Sequence, residues 1–87
     1  MKKIKFSKYF EKSFKKRILP SSSLSKKFAE RLKLFQTNPK DPLIRDHALT
    51  GTKIGKRACS STGDYRVVYG EKDGILIFYD VGTHNQV

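Results

Sequence analysis

Residues 65–81 read YRVVYGEKDGILIFYDV, and this stretch decides the fold. Tyr65 to Tyr69 alternates around Val67 and Val68, the two-residue period of a half-buried strand. Lys72-Asp73-Gly74 follows, and Asp-Gly closes tight hairpins because both of its residues tolerate positive φ. Ile75 to Val81 carries apolar residues on both faces, broken only by Asp80, so it is expected to be a central strand.

Working outward, Thr62-Gly63 marks a turn, and Arg57 to Ser60 reads as a further strand. At the other end of the chain, Lys3-Ile4-Lys5-Phe6 alternates polar and apolar and predicts a short strand. Ser7 is placed to cap a helix over 8–18, in which Phe10, Phe14 and Ile18 recur every four residues. Pro20 ends it. A second helix starts after Ser22 or Ser23. Leu24, Phe28, Leu32 and Phe35 form its apolar stripe, Lys26, Lys27, Glu30, Arg31 and Lys33 fill its other faces, and Asn38-Pro39 stops it. From Asn38 to Gly55 the chain is turn-rich, with Leu43, Ile44 and Leu49 available to pin it to the core. The expected order is β-α-α-β-β-β: an α+β domain over residues 1–87, with two N-terminal helices packed on one face of a small, mostly antiparallel sheet. The second face is left free to bind.

The chain has 87 residues, too few for a second core. Ten aromatic residues among 37% hydrophobic positions support a packed interior. No apolar run reaches the ~18 residues of a membrane span. Basic amphipathic helices also suit membrane surfaces, but strands that need covering favour packing on a sheet. The opening MKKIKFSKYF has no apolar h-region, so no cleaved secretory signal is expected. Cys59 is the single cysteine and cannot form an internal disulfide; with two histidines it makes a poor zinc set. Cytoplasmic location without metal or cofactor is the expectation.

Nineteen Lys and Arg face eight Asp and Glu, a formal charge of +11. Residues 1–35 hold twelve basic and two acidic residues, whereas residues 36–87 hold seven and six. A domain so basic is expected to meet an anionic partner: nucleic acid, anionic lipid or an acidic protein. Lys exceeds Arg fourteen to five, which suits phosphate attraction better than base-edge readout.

His47 and His84 lie beside polar turns, in Arg-Asp-His-Ala-Leu-Thr-Gly and Val-Gly-Thr-His-Asn. Each reads either as a solvated surface residue or as a proton-transfer group, since imidazole titrates near neutral pH. RNA cleavage needs such groups: a base takes the 2′-hydroxyl proton and an acid protonates the departing 5′-oxygen, while cations offset charge on the phosphorane. Asp64 reads as a turn cap or as an acid that orients a histidine. Arg57 and Arg66 read as solvated strand residues or a phosphate clamp, and Lys53 and Lys56 form a basic loop without phosphate-loop spacing. Cys59 reads as a small buried hydrophobe. Tyr65, Tyr69 and Tyr79 serve either the core or base stacking.

Asp-His-Ala-Leu-Thr-Gly at 46–51, Gly-Lys-Arg at 55–57, Gly-Asp-Tyr-Arg-Val-Val-Tyr at 63–69 and Gly-Thr-His-Asn at 82–85 together resemble the RelE/ParE toxin superfamily. Within it they are most similar to the YafQ-like mRNA interferases of bacterial type II toxin–antitoxin systems. Residues 46–85 carry the motifs; the helical half agrees by pattern and length. The resemblance implies a ribosome-dependent endoribonuclease that cuts mRNA in the decoding site. It implies a cognate antitoxin, often with an acidic segment, and operator DNA bound through the antitoxin complex. It assigns His47, Asp64 and His84 to catalysis and Arg57 to the RNA backbone, where Lys53, Lys56 and Arg66 join it as expected phosphate contacts. Two positions depart from the pattern. Ser60 stands where a further histidine is usual, and the aromatic expected four residues after His84 falls one beyond Val87. Two other readings stay open on this resemblance: a ParE-like inhibitor of DNA gyrase, which needs no catalytic histidine, and a degenerate toxin acting only through its antitoxin complex.

Overall fold

Ser7 joins the first strand to the first helix and shows how local chemistry sets the architecture. Its N–H donates to the Phe78 carbonyl at 3.0 Å, its hydroxyl donates to the Tyr79 carbonyl, and the same oxygen accepts from the Phe10 N–H at 3.0 Å. It is thus both the cap of a helix and the end of a sheet edge. The computed structural model describes residues 3–38, 40–49, 55–62, 64–83 and 87, with backbone alone at 61 and 62. Chain order is β1 (Lys3–Phe6), α1 (Lys8–Arg17), α2 (Ser22–Thr37), β2 (His47–Ala48), β3 (Arg57–Thr62), β4 (Tyr65–Lys72) and β5 (Ile75–Thr83).

The five strands form one sheet in the order β1-β5-β4-β3-β2. Only β1 and β5 run parallel; the other pairs are antiparallel. The Asp73-Gly74 hairpin forms as the sequence implies, with φ of 55° and 78° and Lys72 paired to Ile75. β5 has neighbours on both sides, as expected for a strand that opens with the apolar run Ile75–Tyr79. α2 begins at Ser22, with Ser21 as its cap. Two expectations need correction. The turn-rich segment contains a two-residue strand, β2, which extends the sheet beyond β3. Of its pinning residues only Ile44 is fully buried, while Leu43 is exposed.

α1 lies against β5 and α2 against β3. Phe10, Phe28 and Phe35 of the helices meet Val67, Tyr69, Leu76, Phe78 and Val81 of the sheet in one buried cluster. Ring centroids of Phe10 and Phe78 are 5.5 Å apart, and those of Phe35 and Tyr69 are 5.1 Å apart. A bulge is needed to build this face. Val68 pairs with Asp80 but Tyr69 pairs with Phe78, so β5 gains a residue at Tyr79. Phe78 and Val81, three apart, can therefore both point at the helices. At the far end of α1, Arg17 Nη1 donates to the Val81 carbonyl at 2.8 Å and sits 3.5 Å from Asp80. That contact ties the helix C-terminus to the sheet.

Candidate active site

The segment before β2 is fixed from several sides. The Ile44 carbonyl accepts the Ser60 N–H at 2.6 Å. Arg31 of α2 donates to the Leu43 carbonyl at 2.8 Å, and Asp41 accepts the Leu43 N–H at 2.9 Å. Arg45 then adopts φ of 52°, the left-handed region, which costs an L-residue roughly 1–2 kcal/mol. That turn sends the chain back along β3, where His47 pairs with Ala58 and Ala48 with Arg57.

His47 is exposed, and its Nδ1 lies 2.9 Å from the Arg45 carbonyl oxygen. A carbonyl only accepts, so Nδ1 carries the proton in this contact. In the neutral ring, Nε2 then presents a lone pair, as a general base must.

The neighbouring residue faces the other way. Asp46 receives two bonds from the Arg57 fork, Nε at 3.1 Å and Nη2 at 2.9 Å, and a third from the Tyr69 hydroxyl at 2.5 Å. The hydrogen bonds to Asp46 raise the Arg57 guanidinium above its ordinary range. Burial pushes the Tyr69 phenol up, and the bond to Asp46 adds to this. Burial likewise pushes the Cys59 thiol up to about 12, which leaves it protonated and unreactive at neutral pH.

Residues directly opposite across strands share a face. By that rule the side away from the helices carries Lys3 and Lys5 on β1, Ile75, Ile77, Asp80 and Gly82 on β5, Lys72, Gly70, Val68 and Arg66 on β4, Ala58 and Ser60 on β3, and His47 on β2. Lys56 joins them just before β3, with Nζ 4.9 Å from the centre of the Tyr79 ring, a cation–π distance. The ring lies over Gly70, where a Cβ would come within 3.1 Å of it. That contact accounts for a glycine inside a central strand.

His47, Ser60 and Arg66 thus share the free face, and Lys56 lies on it beside Tyr79. Asp64 is exposed in the β3–β4 turn, and the last residue of β5, Thr83, pairs with Tyr65 next to that turn. Arg57 is turned toward the helix side and paired with Asp46. Of the tyrosines, Tyr69 is in the core; Tyr65 and Tyr79 are half-buried. Lys53 and His84 lie outside the described residues. Sequence reasoning gave Asp46 no role of its own. The available signal was a carboxylate beside a candidate histidine, with an arginine eleven residues on.

Over residues 2–87 the sequence matches the family model described as the bacterial toxin of type II toxin-antitoxin system, YafQ. The chain belongs to the YafQ toxin family. Among solved structures, this YafQ-family toxin is similar to a copper-bound mutant toxin from Helicobacter pylori, at 34% identity over 100% of this chain and 99% of that one, with a TM-score of 0.75. A mutant of YafQ from E. coli matches at 24% identity, 99% and 97% coverage, and a TM-score of 0.80. YafQ in the E. coli DinJ–YafQ complex matches at 23% identity, 100% and 98% coverage, and a TM-score of 0.72. The two E. coli structures share the fold with this YafQ-family chain. No curated protein sequence matches it. Among the described residues, no helix is long and apolar enough to cross a membrane.

Proposed function

We propose that this YafQ-family toxin is a ribosome-dependent endoribonuclease that cleaves messenger RNA in the decoding site. The observation that carries the reading is His47: exposed on the free face, with Nδ1 committed to a carbonyl and Nε2 available. A base removes the 2′-hydroxyl proton and the oxygen attacks the adjacent phosphorus. An acid protonates the 5′-oxygen as its bond to phosphorus breaks, leaving a 2′,3′-cyclic phosphate and a 5′-hydroxyl. DNA lacks the attacking group and is spared. His47 serves as the base and His84 as the acid. Asp64 orients one of them or accepts a proton. Lys53, Lys56 and Arg66 offset phosphorane charge; Arg57, drawn to the helix side by Asp46, contributes only as a neutralised charge at a distance. Because Ser60 cannot shuttle a proton, the two histidines share the work.

The basic helical layer supports a second contact, with an acidic segment of a cognate antitoxin. A groove of about 480 Å³ is lined by Phe6, Phe10, Phe14 and Phe28, with Lys8, Lys12 and Lys15 around Glu11. Apolar anchors and a cationic border suit an acidic amphipathic partner. The antitoxin complex would carry the toxin to operator DNA in the cytoplasm.

Primer extension on a defined mRNA, with the purified toxin and with or without ribosomes, tests the nuclease reading. New ends only with ribosomes are expected. No cleavage in either condition would contradict it, and a gyrase supercoiling assay would then separate a gyrase poison from an inactive toxin.

A further inference from the structure

We propose that Asp46 is a positioning residue for His47: gripped by Tyr69 and Arg57, it holds the Arg45 carbonyl in the direction that fixes the histidine ring. The proposal rests on the reading of His47 as a proton-transfer group and assigns the source of its orientation.

His47 Nδ1 makes its hydrogen bond to the backbone carbonyl two residues earlier, at 2.9 Å. Whatever sets the Arg45 carbonyl therefore sets the imidazole. Arg45 is in the left-handed region, which a non-glycine residue leaves readily unless its neighbours hold it. On the N-terminal side, the buried Ile44 gives its carbonyl to Ser60. On the C-terminal side, the first fixed group is the Asp46 carboxylate.

Two strands grip that carboxylate. Arg57 of β3 meets it with a planar fork, a geometry that fixes direction as well as distance. Tyr69 of β4 donates from a ring packed 5.1 Å from Phe35 and 6.1 Å from Phe78. The anchor thus reaches the rigid core, while His47 stays exposed. Successive residues alternate in direction, so Asp46 faces the helix side and His47 the free face. Asp46 therefore acts through the backbone and does not touch RNA.

A solvated neutral histidine prefers its proton on Nε2. The carbonyl contact here demands it on Nδ1. The ring tautomer therefore reports on the clamp independently of any activity. The test is ring ¹⁵N–¹H correlation NMR on the full chain, at a pH where the imidazole is neutral, for the natural sequence, Asp46→Ala and Tyr69→Phe. The natural protein should show His47 mainly as the Nδ1–H form. Asp46→Ala should shift it to mainly Nε2–H. Tyr69→Phe removes one oxygen from a ring that stays in the core, and should move the balance the same way by less. If Asp46→Ala fails to fold, as its amide spectrum would show, Tyr69→Phe decides.

Folded variants that keep the Nδ1–H form would overturn the proposal. A tautomer shift with unchanged cleavage of ribosome-bound mRNA would also overturn it, since cleavage should fall about ten-fold or more. If the natural protein cleaves nothing, the nuclease reading fails, while the NMR result still shows whether Asp46 orients His47.

Discussion

The two faces of the sheet use the same strands for opposite ends. Toward the helices, Val67, Tyr69, Leu76, Phe78 and Val81 are buried among phenylalanines. On the other side, Lys3, Lys5, Lys72 and Arg66 surround Ile75, Ile77 and Tyr79, with His47 at the rim. Alternation along each strand makes the division possible, and the bulge at Tyr79 adjusts it. One face supplies most of the cohesion; on the other, Ala58 and Val68 are buried as well, and cations and a histidine stand around them. Substitutions on the two faces should therefore fail in different ways.

The largest expected effect is on the helix side. Phe78 touches Phe6, Phe10, Phe35 and Tyr69. Phe78→Ala should cost about 3–5 kcal/mol, much of the stability of a small domain. Urea denaturation measures it, and a loss below about 1 kcal/mol would break the division of labour. For the proposed acid, His84→Ala should abolish growth inhibition while leaving the fold intact. Full toxicity in that variant would remove His84 from the mechanism.

A smaller effect separates the faces by pH. Cys59 and Tyr69 both have raised values inside the helix-side core. Each is neutral when folded under conditions where the unfolded chain ionises. Their stabilisation is complete below the unfolded values, so stability should fall from about pH 9 upward, by at most about 1.4 kcal/mol per unit for each group. Melting temperature against pH measures this, and Cys59→Ala should flatten the slope between its ordinary value and about 12. A flat profile in the parent would contradict the buried thiol. The smallest effect belongs to Lys56 on the free face. Lys56→Ala should weaken binding to single-stranded RNA evenly across sequences and reduce the salt slope by about 0.7. An unchanged slope would take Lys56 off the RNA path.

How much was legible in the sequence follows the same contrast between local and distant causes. The capping bond of Ser7 and the Asp73-Gly74 turn act within four residues, so that cap and the hairpin could be read directly, whereas the second helix was expected after Ser22 or Ser23 and is capped by Ser21. The two helical stripes were equally clear, and Phe10 and Ile18 of the first and Phe28 and Phe35 of the second are buried, because helical period reports burial. β2 was not legible. It is two residues long and exists because Arg31, Ser60 and buried Ile44 bring its segment to the edge of β3. The motif around His47 marked the candidate site, but its support did not show. Asp46 reaches Tyr69 across 23 positions, and no periodicity encodes that contact. Arg57 illustrates the limit: as a strand arginine it read as a phosphate contact or a solvated residue, and the fold gave it a carboxylate.

The most direct test of the account is the single-turnover cleavage rate of ribosome-bound mRNA by His47→Ala, compared with the natural protein. The substitution removes an exposed ring from an edge strand, so the amide spectrum and melting temperature should be unchanged. The account predicts a rate lower by about 10²–10⁴-fold. An unchanged rate from a folded variant would contradict the claim that the free face of the sheet carries the chemistry.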